Sequence, residues 1–435
     1  MSSTIAGRVP RVALTSLGCK VNFAEMAELA GVLAAAGCDI VSEDDMCDVR
    51  VVNSCTVTSQ ADATTRQRLH RLRRRDPSSH IVLTGCSVDG NRERYFPALR
   101  EPDAKLADGV DAVFMNENKN AIAGYITALL GTGEETHRTA ESPTLRARAF
   151  IKVQDGCNHR CTYCIVWRAR GESRSVPARS VLESVARAIE AGHAEVVLCG
   201  VDLGSYGRDI GTTLAQLMEQ LLAVVGDSAR IRLSSVNAND VTTQLIELNA
   251  HPRLCSHWHM PLQSGSDRVL RGMHRGYRRR QYLRVVRELR DRDPATEFTT
   301  DVMVGFPGES EDDHQDTLSL VADVGFLSTH VFRWSPRPDT PAETYADRVD
   351  DATARRRSAE VRRAAARTGD ASRRRAVGRV HEVVWDGADE VPPRGLAATY
   401  HEVVVDTSAP RAGALAKVIA TAVEGDHLRA RLVTP

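Results

Sequence analysis

Residues 150–175 read FIKVQDGCNHRCTYCIVWRARGESRS, a short apolar strand followed by a polar loop that carries three cysteines. The cysteines are Cys157, Cys161 and Cys164, and their C-x3-C-x2-C spacing allows them to bind one metal centre. Three thiolates leave the fourth position of a closed site open. Thiolates favour an iron–sulfur cluster or zinc, and both interpretations stay possible because His159 in the loop offers a fourth zinc ligand.

The loop resembles the signature of radical S-adenosylmethionine (SAM) enzymes, C-x3-C-x-aromatic-C, with Tyr163 as the aromatic residue. The resemblance implies that Cys157, Cys161 and Cys164 bind a 4Fe-4S cluster whose open iron binds the amino and carboxylate groups of SAM. It also implies that the reduced cluster cleaves SAM to a 5′-deoxyadenosyl radical. The cofactor then carries the chemistry, and the protein supplies binding and electrostatics.

Composition is that of an ordinary globular protein. The chain has 435 residues, 42% of them hydrophobic and 26% charged, which predicts about three domains. The N-terminus has no apolar run of signal-peptide or membrane-span length, so we expect a cytoplasmic protein without a membrane partner. Ten cysteines in that compartment favour metal binding or catalysis over disulfides. The formal net charge is zero, so any nucleic-acid surface must be local.

The first 130 residues alternate predicted strands, at 11–17, 49–53 and 81–84, with predicted helices at 22–37 and 61–75. Asn22, with Glu25 three residues later, is typical of a capping box at the start of the first helix. The alternation predicts an open parallel α/β sheet, in which ligands bind at the carboxyl ends of the strands.

One cysteine directly follows each predicted strand of this sheet, at Cys19, Cys55 and Cys86. The carboxyl ends of parallel strands share an edge, so the three thiols form a second candidate site with one open position. The alternative is a flavodoxin-like domain with incidental thiols. Cys38 and Cys47 lie away from that edge, and we interpret them as buried cysteines of the core.

Two incomplete cluster sites in one chain resemble the methylthiotransferase family of radical SAM enzymes. The resemblance implies that Cys19, Cys55 and Cys86 bind an auxiliary 4Fe-4S cluster whose open iron holds the sulfur to be inserted. Two SAM molecules are then expected, one as the methyl donor and one as the radical source. Of three known branches, two act on different modified adenosines in tRNA and one acts on a ribosomal protein aspartate.

Four short sequence motifs resemble those of the MtaB-type branch, which methylthiolates C2 of N6-threonylcarbamoyladenosine beside the tRNA anticodon. They are GCKVN from Gly18, NSCTVT from Asn53, RGESRS from Arg170 and FRWSPR from Phe332. The resemblance covers residues 11–345 and is weak beyond them. Trp167 and Asn237 depart from the family pattern, which usually has a proline and an acidic residue there. These departures affect only the expected SAM contacts.

Beyond the cysteine loop the chain repeats a strand and helix about six times. This repeat predicts an open partial (β/α)6 barrel with its site at the carboxyl ends of the strands, because a closed eight-unit barrel needs more chain. Polar or glycine-rich segments follow several of these strands and resemble the SAM-facing motifs of the family. With Tyr163, they supply the expected cofactor-binding residues: Gly200, Ser234, Gln263 and Gly305. Cys199 and Cys255 have no metal spacing and are expected in the core.

Two predicted helices rich in arginine are candidates for binding RNA phosphates. One lies within residues 66–75 and the other within residues 268–280. The alternative is that both are ordinary solvated helix faces. An anticodon loop is a suitable partner, since a single-stranded base can be turned out and stacked.

Residues 370–435 begin with an arginine-rich hinge at 373–375 and continue as short apolar strands, which predicts a small β-barrel. The barrel resembles the TRAM domain that the family uses for tRNA binding, although it is shorter. A structural cap is the alternative. The expected domains are an N-terminal α/β domain with the auxiliary cluster (9–131), a radical SAM partial barrel (145–369) and this β-barrel, with a polar linker at 131–148.

The expected protein is therefore a methylthiotransferase that uses two 4Fe-4S clusters and SAM on the anticodon loop of tRNA. It receives electrons from a reducing partner such as flavodoxin or ferredoxin. One alternative is the same chemistry on isopentenyladenosine in tRNA or on a ribosomal protein aspartate. Another is a non-catalytic iron–sulfur protein that carries electrons or binds RNA.

Overall fold

A computed structural model describes residues 8–95, 106–131, 147–386, 392–406 and 410–433. The chain forms two compact units. The first comprises Met1–Thr144, Cys164–Glu172 and Ser335–Asp339, and the second comprises the rest. Most of the predicted linker lies outside the described residues. Within the described residues, no helix combines the length and the apolar character that a membrane crossing requires.

The first unit is a parallel sheet with helices on both faces. Its strands are β1 (Arg11–Ser16), β2 (Asp39–Val41), β3 (Val49–Ser54), β4 (His80–Gly85) and β5 (Ala112–Phe114). Its helices are α1 (Lys20–Ala35), α2 (Ser59–Arg75), α3 (Cys86–Gly90), α4 (Arg92–Tyr95), α5 (Ile122–Leu130) and α6 (Val166–Arg170), with 3₁₀ segments at Ala107–Gly109 and Asn116–Ala121. The strand order is β2-β1-β3-β4-β5, and all the pairs are parallel.

Alternation along β3 explains the two layers of helices. Val49 and Val51 point to the face that packs on α1 and α5, and Val52 points to the face that packs on α2. Both faces of β3 are thus buried, and the strand carries valines on both of them.

The second unit begins with the strands and helices of an open barrel. The strands are β6 (Ala149–Asp155), β7 (Arg174–Ser175), β8 (Glu195–Gly200), β9 (Arg230–Leu233), β10 (His257–His259), β11 (Glu297–Val304) and β12 (Ser328–Arg333). The helices are α7 (Ala178–Glu190), α8 (Leu214–Val225), α9 (Thr243–Leu248), α10 (Asp267–Gly272), α11 (Arg279–Arg292), α12 (Glu311–Val324) and α13 (Asp351–Ala376), with 3₁₀ turns at Leu203–Ser205 and Pro341–Thr344.

Six of these strands run parallel, in the order β6-β8-β9 in one sheet and β10-β11-β12 in the next. The bridges Ile231–Leu254 and Ser235–His259 join the two sheets. The predicted fold class, including the partial six-stranded barrel, is confirmed. Capping boxes at Thr213 and Ser310 begin α8 and α12, since each side chain accepts a hydrogen bond from the backbone of the third helical residue.

The last five strands close into a small barrel in the order β13-β14-β15-β17-β16. They are β13 (Val380–Trp385), β14 (Arg394–Ala397), β15 (Glu402–Val405), β16 (Leu415–Glu424) and β17 (His427–Leu432). The predicted β-barrel is therefore present. The predicted hinge at 373–375 is wrong, because these arginines form the last turn of α13, a position where cations interact favourably with the helix dipole.

The β-barrel contacts the amino ends of the parallel strands through buried charges. Arg230 and Arg232 on β9 both bind Glu195 on β8, with closest distances of 2.7 Å, and all three side chains are fully buried. Arg230 also donates to the carbonyl of Leu396, and Arg232 donates to the carbonyl of Ala397, both at 2.9 Å. The β-barrel thus covers this end of the partial barrel, as the structural-cap alternative expects.

Candidate functional site

The three strand-end cysteines of the first unit lie on the middle strands of its sheet. Cys19 follows β1 and precedes α1, Cys55 directly follows β3, and Cys86 is the first residue of α3 after β4. Gly18 brings two of these strand ends close together, because a Cβ added to it would lie 2.5 Å from Cβ of Cys55 and 2.7 Å from its sulfur. Cys55 and Cys86 are buried, whereas Cys19 is exposed.

Burial, assisted by the nearby sulfurs of Cys19 and Cys86, raises the pKa of the Cys55 thiol to about 12. Without a cation this thiol stays protonated at neutral pH, so binding of a metal centre must release the proton.

A buried polar network lies against these thiols. Arg170 on α6 donates from Nε to the Cys86 sulfur at 3.2 Å, from Nη1 to Glu25 at 2.8 Å and from Nη2 to Asn22 at 2.7 Å. Lys119 donates to Glu25 at 2.6 Å. Asn22 donates to the carbonyls of Leu17 and Ser54, the residues two before Cys19 and one before Cys55. The two cations favour negative charge on the sulfurs, and the carboxylate of Glu25 offsets part of this effect.

The expected capping box at Asn22 and Glu25 is wrong. Helix α1 begins at Lys20 with Cys19 as its N-cap, so both residues lie inside the helix. Their buried side chains bind Arg170 of the thiol network instead. Arg170 lies 148 positions from Asn22 in the sequence, so a local pattern could not indicate this role.

The cysteine loop of the second unit follows β6. Arg275 donates to the Cys161 sulfur at 3.4 Å, and the backbone N–H of His159 lies 3.5 Å from the Cys157 sulfur. Thr162 anchors the loop through its N–H to the carbonyl of Met273 and through its hydroxyl to the carbonyl of Gly272. Cys164 starts the segment Cys164–Glu172, which belongs to the first unit.

His159 is committed to two carboxylates. Its Nε2 lies 3.2 Å from Asp202 and 3.6 Å from Asp240, and hydrogen bonds to these groups raise the pKa of His159 to about 10. The Nε2 of His159 thus faces these carboxylates, and among the described residues no group of closely spaced potential ligands combines His159 with a cysteine, so His159 is not placed as a fourth ligand to the loop cysteines. Asp202 and Asn237 hydrogen bond to each other, and Asn237 also accepts from Arg275. These contacts connect the ends of β8 and β9 to the cysteine loop.

The donor sets fit a cluster better than a single ion. Sulfurs bound tetrahedrally to one zinc lie about 3.8 Å apart. Within the described part of the chain, two groups of three His, Cys, Asp or Glu residues have ligand atoms all within 4.8 Å, and neither contains a cysteine. The sulfurs of Cys19, Cys55 and Cys86 therefore do not all lie within 4.8 Å of one another, a spacing compatible with a multi-iron cluster.

The expected SAM contacts lie at strand ends of the second unit. Ser234 follows β9 and Gln263 follows β10, and both residues are buried. The Ser234 hydroxyl and the Gln263 Oε1 lack hydrogen-bond partners among the described residues, so each is available to a ligand. Gly200 and Gly305 leave no room for a side chain, since an added Cβ would lie 2.9 Å from Gln154 and 3.0 Å from Ala354, respectively. Tyr163 packs beside Met273 and Phe306.

The arginine-rich runs are partly committed to ion pairs within the chain. The prediction of one helix within 268–280 is wrong, because that run spans α10, a loop and the start of α11. On α2, Arg68, Arg73 and Arg75 pair with Glu43, Asp111 and Asp44, respectively. In the second run, Arg268 pairs with Asp313 and Arg279 with Asp323, while Arg275 contacts the cysteine loop. Several arginines of both runs therefore have partners within the chain. Sequence reasoning missed the roles of Arg170 and Arg275 at the thiols, because nothing in the sequence indicates which arginine turns inward.

Two protein-family models match parts of the chain. The Radical SAM superfamily matches residues 151–321, and the uncharacterized protein family UPF0004 matches residues 11–106. In fold, the chain is similar to the radical SAM methyltransferase TsrM of Kitasatospora setae, with a TM-score of 0.57 at 12% identity over 77% of this chain and 75% of that one. This similarity shows the fold alone.

Relatives with assigned names cover nearly the whole chain. The threonylcarbamoyladenosine tRNA methylthiotransferase MtaB of Thermotoga maritima is 36% identical over 91% of this chain and 90% of its own length. The corresponding protein of Bacillus subtilis is 34% identical, over 78% and 77%. The tRNA-2-methylthio-N6-dimethylallyladenosine synthase of Carboxydothermus hydrogenoformans is 31% identical, over 96% and 98%.

Proposed function

Because the chain belongs to the radical SAM tRNA methylthiotransferase family, we propose that it inserts a methylthio group at C2 of N6-threonylcarbamoyladenosine next to the tRNA anticodon. The observation that carries this proposal is the grouping of Cys19, Cys55 and Cys86 at one sheet edge. A protein that only cleaves SAM has no need of this second thiol set. Membership of the radical SAM superfamily itself implies a 4Fe-4S cluster and SAM.

Six cysteines have defined roles in this proposal. Cys157, Cys161 and Cys164 would hold the cluster that binds SAM, and Cys19, Cys55 and Cys86 would hold a second 4Fe-4S cluster. When bound, the two clusters and two SAM molecules supply a carbon-centred radical and a methylated sulfur. Each thiolate matters, because the loss of one opens a further coordination position.

The other residues bind and orient these groups. Arg170 and Lys119 hold positive charge beside the first thiol set, which favours its deprotonated form. Arg275 does the same at Cys161. His159, held as a cation by Asp202 and Asp240, fixes the loop between Cys157 and Cys161. Ser234 and Gln263 offer buried oxygens to SAM.

The substrate is the finer part of the proposal. Relatives named for threonylcarbamoyladenosine and relatives named for dimethylallyladenosine have similar identities to this chain, so identity alone does not choose between them. The four sequence motifs that resemble the MtaB-type branch favour threonylcarbamoyladenosine as the substrate. Dimethylallyladenosine is the second candidate. The proposed partners are the anticodon loop of tRNA and a flavodoxin or ferredoxin in the cytoplasm.

A reconstitution experiment tests the substrate. Protein reconstituted with iron, sulfide, SAM and dithionite is offered anticodon stem-loops that carry either threonylcarbamoyladenosine or dimethylallyladenosine. Mass spectrometry of the digested RNA should find the methylthio product from the first stem-loop only. Product from the second stem-loop alone would replace the proposed substrate. The absence of 5′-deoxyadenosine would support the non-catalytic alternative.

A further inference from the structure

The FRWSPR motif that starts at Phe332 contains no cysteine, and its last residue is a buried cation. The motif runs from the end of β12 into the segment Ser335–Asp339, which belongs to the first unit. Arg337 lies in this segment, and its side chain is 5% exposed. Burial of a guanidinium is costly unless its charge and its N–H donors have partners. The partners of Arg337 therefore indicate what the motif does.

Arg337 binds a carboxylate and a hydroxyl beside one of the strand-end thiols. Its Nη2 lies 2.6 Å from Asp62 on α2 and 2.5 Å from the hydroxyl of Thr56. Thr56 directly follows Cys55 and is fully buried, and the Asp62 side chain is 8% exposed. The FRWSPR motif thus reaches the NSCTVT motif, which supplies Thr56, and binds it one residue from a proposed ligand.

Asp62 extends these contacts to a second strand-end thiol. Its other oxygen accepts a hydrogen bond from the buried hydroxyl of Ser87 at 2.8 Å, and Ser87 directly follows Cys86. The hydrogen bonds therefore connect the residue after Cys55 with the residue after Cys86. The four residues that make this connection are here called the Arg337 network: Thr56, Arg337, Asp62 and Ser87.

Packing around the network agrees with its hydrogen bonds. Gly90, at the end of α3, lies so close to Thr56 that an added Cβ would come within 3.2 Å of the threonine hydroxyl and methyl groups. Asn91, which follows α3, donates to the carbonyl of Ser87 at 2.9 Å and to Asp62 at 3.4 Å. The loop that contains Thr56 and the helix that begins at a proposed ligand are therefore in contact.

Arg170 provides the other link within the same thiol set. It donates to the Cys86 sulfur and to Asn22 on α1, and the Asn22 side chain lies 3.5 Å from the Cys19 sulfur. Arg170 thus connects the first strand end with the third, whereas the Arg337 network connects the second with the third. Two such links fix three ligands relative to one another.

We propose that Arg337 is a positioning residue: through its network it holds the Cys55 and Cys86 thiols at the separation that one 4Fe-4S cluster needs. This inference rests on the proposed function, which assigns a cluster to these thiols. Residues that orient the ligands of a metal centre contribute to its affinity, and their loss typically weakens binding about tenfold to a hundredfold. The network would supply this orientation before the cluster binds, because its partners are all side chains of the protein.

Iron release from the strand-end site tests the role of Arg337. The full chain with alanine at Cys157, Cys161 and Cys164, here called the background chain, should hold about four iron atoms after reconstitution. In this chain, Arg337→Met should release iron to a chelator at least about tenfold faster. The EPR line shape of the reduced cluster should also change, because the ligand sulfurs shift. Arg337→Lys should recover most of the background rate, since a single nitrogen donates to both Asp62 and Thr56.

Arg50→Met is the matched control for loss of a buried arginine in the same unit. Arg50 lies near the start of β3, the strand that ends before Cys55. It pairs with Asp76 at 3.2 Å, and both side chains are 1% exposed. This variant should lower the thermal midpoint about as much as Arg337→Met, because each leaves a buried carboxylate without its arginine. It should keep the iron-release rate and the EPR line shape of the background chain.

Thr56→Val is a milder variant for the case in which Arg337→Met does not fold. It removes the hydroxyl that accepts from Arg337 and keeps the branched shape of the side chain. It should release iron faster than the background chain. Thr65→Val is its control, because the buried Thr65 hydroxyl donates to the carbonyl of Ala61 within α2. This control should leave the release rate unchanged.

An unchanged release rate in Arg337→Met would overturn the inference. Equally fast release from Arg337→Met and Arg50→Met would also overturn it, because the effect would then be one of stability alone, and the same holds if Thr56→Val and Thr65→Val behave alike. Failure of Arg337→Lys to slow release would assign the effect to lost packing and would count against the inference as well. Failure of the proposed function looks different, since the background chain itself would then hold no iron.

Discussion

Gly18 shows how a missing side chain positions a thiol. It has a φ of +102°, and an added Cβ would contact Cys55 at both Cβ and sulfur. Gly18→Ala should therefore displace the Cys55 thiol and cost about 1–3 kcal/mol of backbone strain. We expect iron per chain in reconstituted protein to fall from about eight atoms toward about four.

Gly31→Ala is the matched control for Gly18→Ala. Gly31 lies in α1, and an added Cβ there has no neighbour within 4 Å. The change should keep full iron content and stabilise the helix by up to about 1 kcal/mol. Equal iron content in the two variants would show that Cys55 does not bind the centre.

Arg170 acts by charge at the same site. Its side chain is 1% exposed and binds Glu25, so Arg170→Met leaves that carboxylate buried with Lys119 as its remaining cation. We expect a loss of about 3 kcal/mol in stability and less iron per chain. Arg168→Met is the control on the same helix, because its side chain is 44% exposed. If both variants melt and bind iron alike, the thiol network is not needed for the site.

At the scale of elements, the contact between the β-barrel and the parallel strands depends on Glu195. Its carboxylate, whose pKa is held low by Arg232 and Arg230 despite burial, balances both guanidinium groups. Glu195→Gln leaves excess positive charge buried and should cost about 3–5 kcal/mol. Thermal unfolding should shift downward, and proteases should release the β-barrel sooner.

Glu382→Gln tests the same contact at its rim. Glu382 lies 3.5 Å from Arg230 and is 27% exposed, so its loss should cost less than about 1 kcal/mol. A similar effect of the two substitutions would contradict the assignment of Glu195 as the buried counter-charge.

His401 makes the β-barrel sensitive to acid. Burial, assisted by His381 and Arg373, lowers the pKa of His401 to about 3, so the folded protein keeps it neutral. The unfolded chain takes up a proton near pH 6.5, and stability therefore falls as pH drops below that value. The loss from pH 7.5 to pH 5 should be about 2 kcal/mol. His401→Gln should remove this part of the decline in the thermal midpoint, whereas His427→Gln should not.

Sequence patterns predicted the strands that are formed by longer runs of apolar residues. The strands before Cys19, Cys55 and Cys86 are runs of apolar residues, and the observed β1, β3 and β4 match the predicted ranges within one or two residues. The strands β2 and β5 have three residues each and were not predicted, since a pattern that short is not distinctive. β14 was missed because its four residues include Gly395.

Features that depend on distant partners could not be read from the sequence. The role of the six cysteines as ligands is a prediction from their spacing and their positions after strands. Asn22 and Glu25 matched a local capping pattern, but in the structure they bind Arg170. Likewise, nothing in the sequence indicates that Arg275 contacts Cys161, because these residues lie 114 positions apart and packing of the whole unit brings them together.

At the scale of the molecule, the two thiol sets follow different strands, so each can be removed by itself. Cys19, Cys55 and Cys86 follow β1, β3 and β4 of the first unit, whereas Cys157 and Cys161 follow β6 of the second unit and Cys164 begins the segment Cys164–Glu172 of the first. The triple variant with alanine at Cys19, Cys55 and Cys86 should bind about half of the wild-type iron. It should still form 5′-deoxyadenosine from SAM.

The same variant should form no methylthio product, because it lacks the thiols that would hold the transferred sulfur. Cys157→Ala should instead lose both products while keeping the iron at the first set, and this contrast is the control. Both products are measured in one reaction by mass spectrometry of the nucleosides. Methylthiolated RNA from the triple variant would show that sulfur comes from outside the strand-end site, and the proposed division of labour between the two thiol sets would then fail.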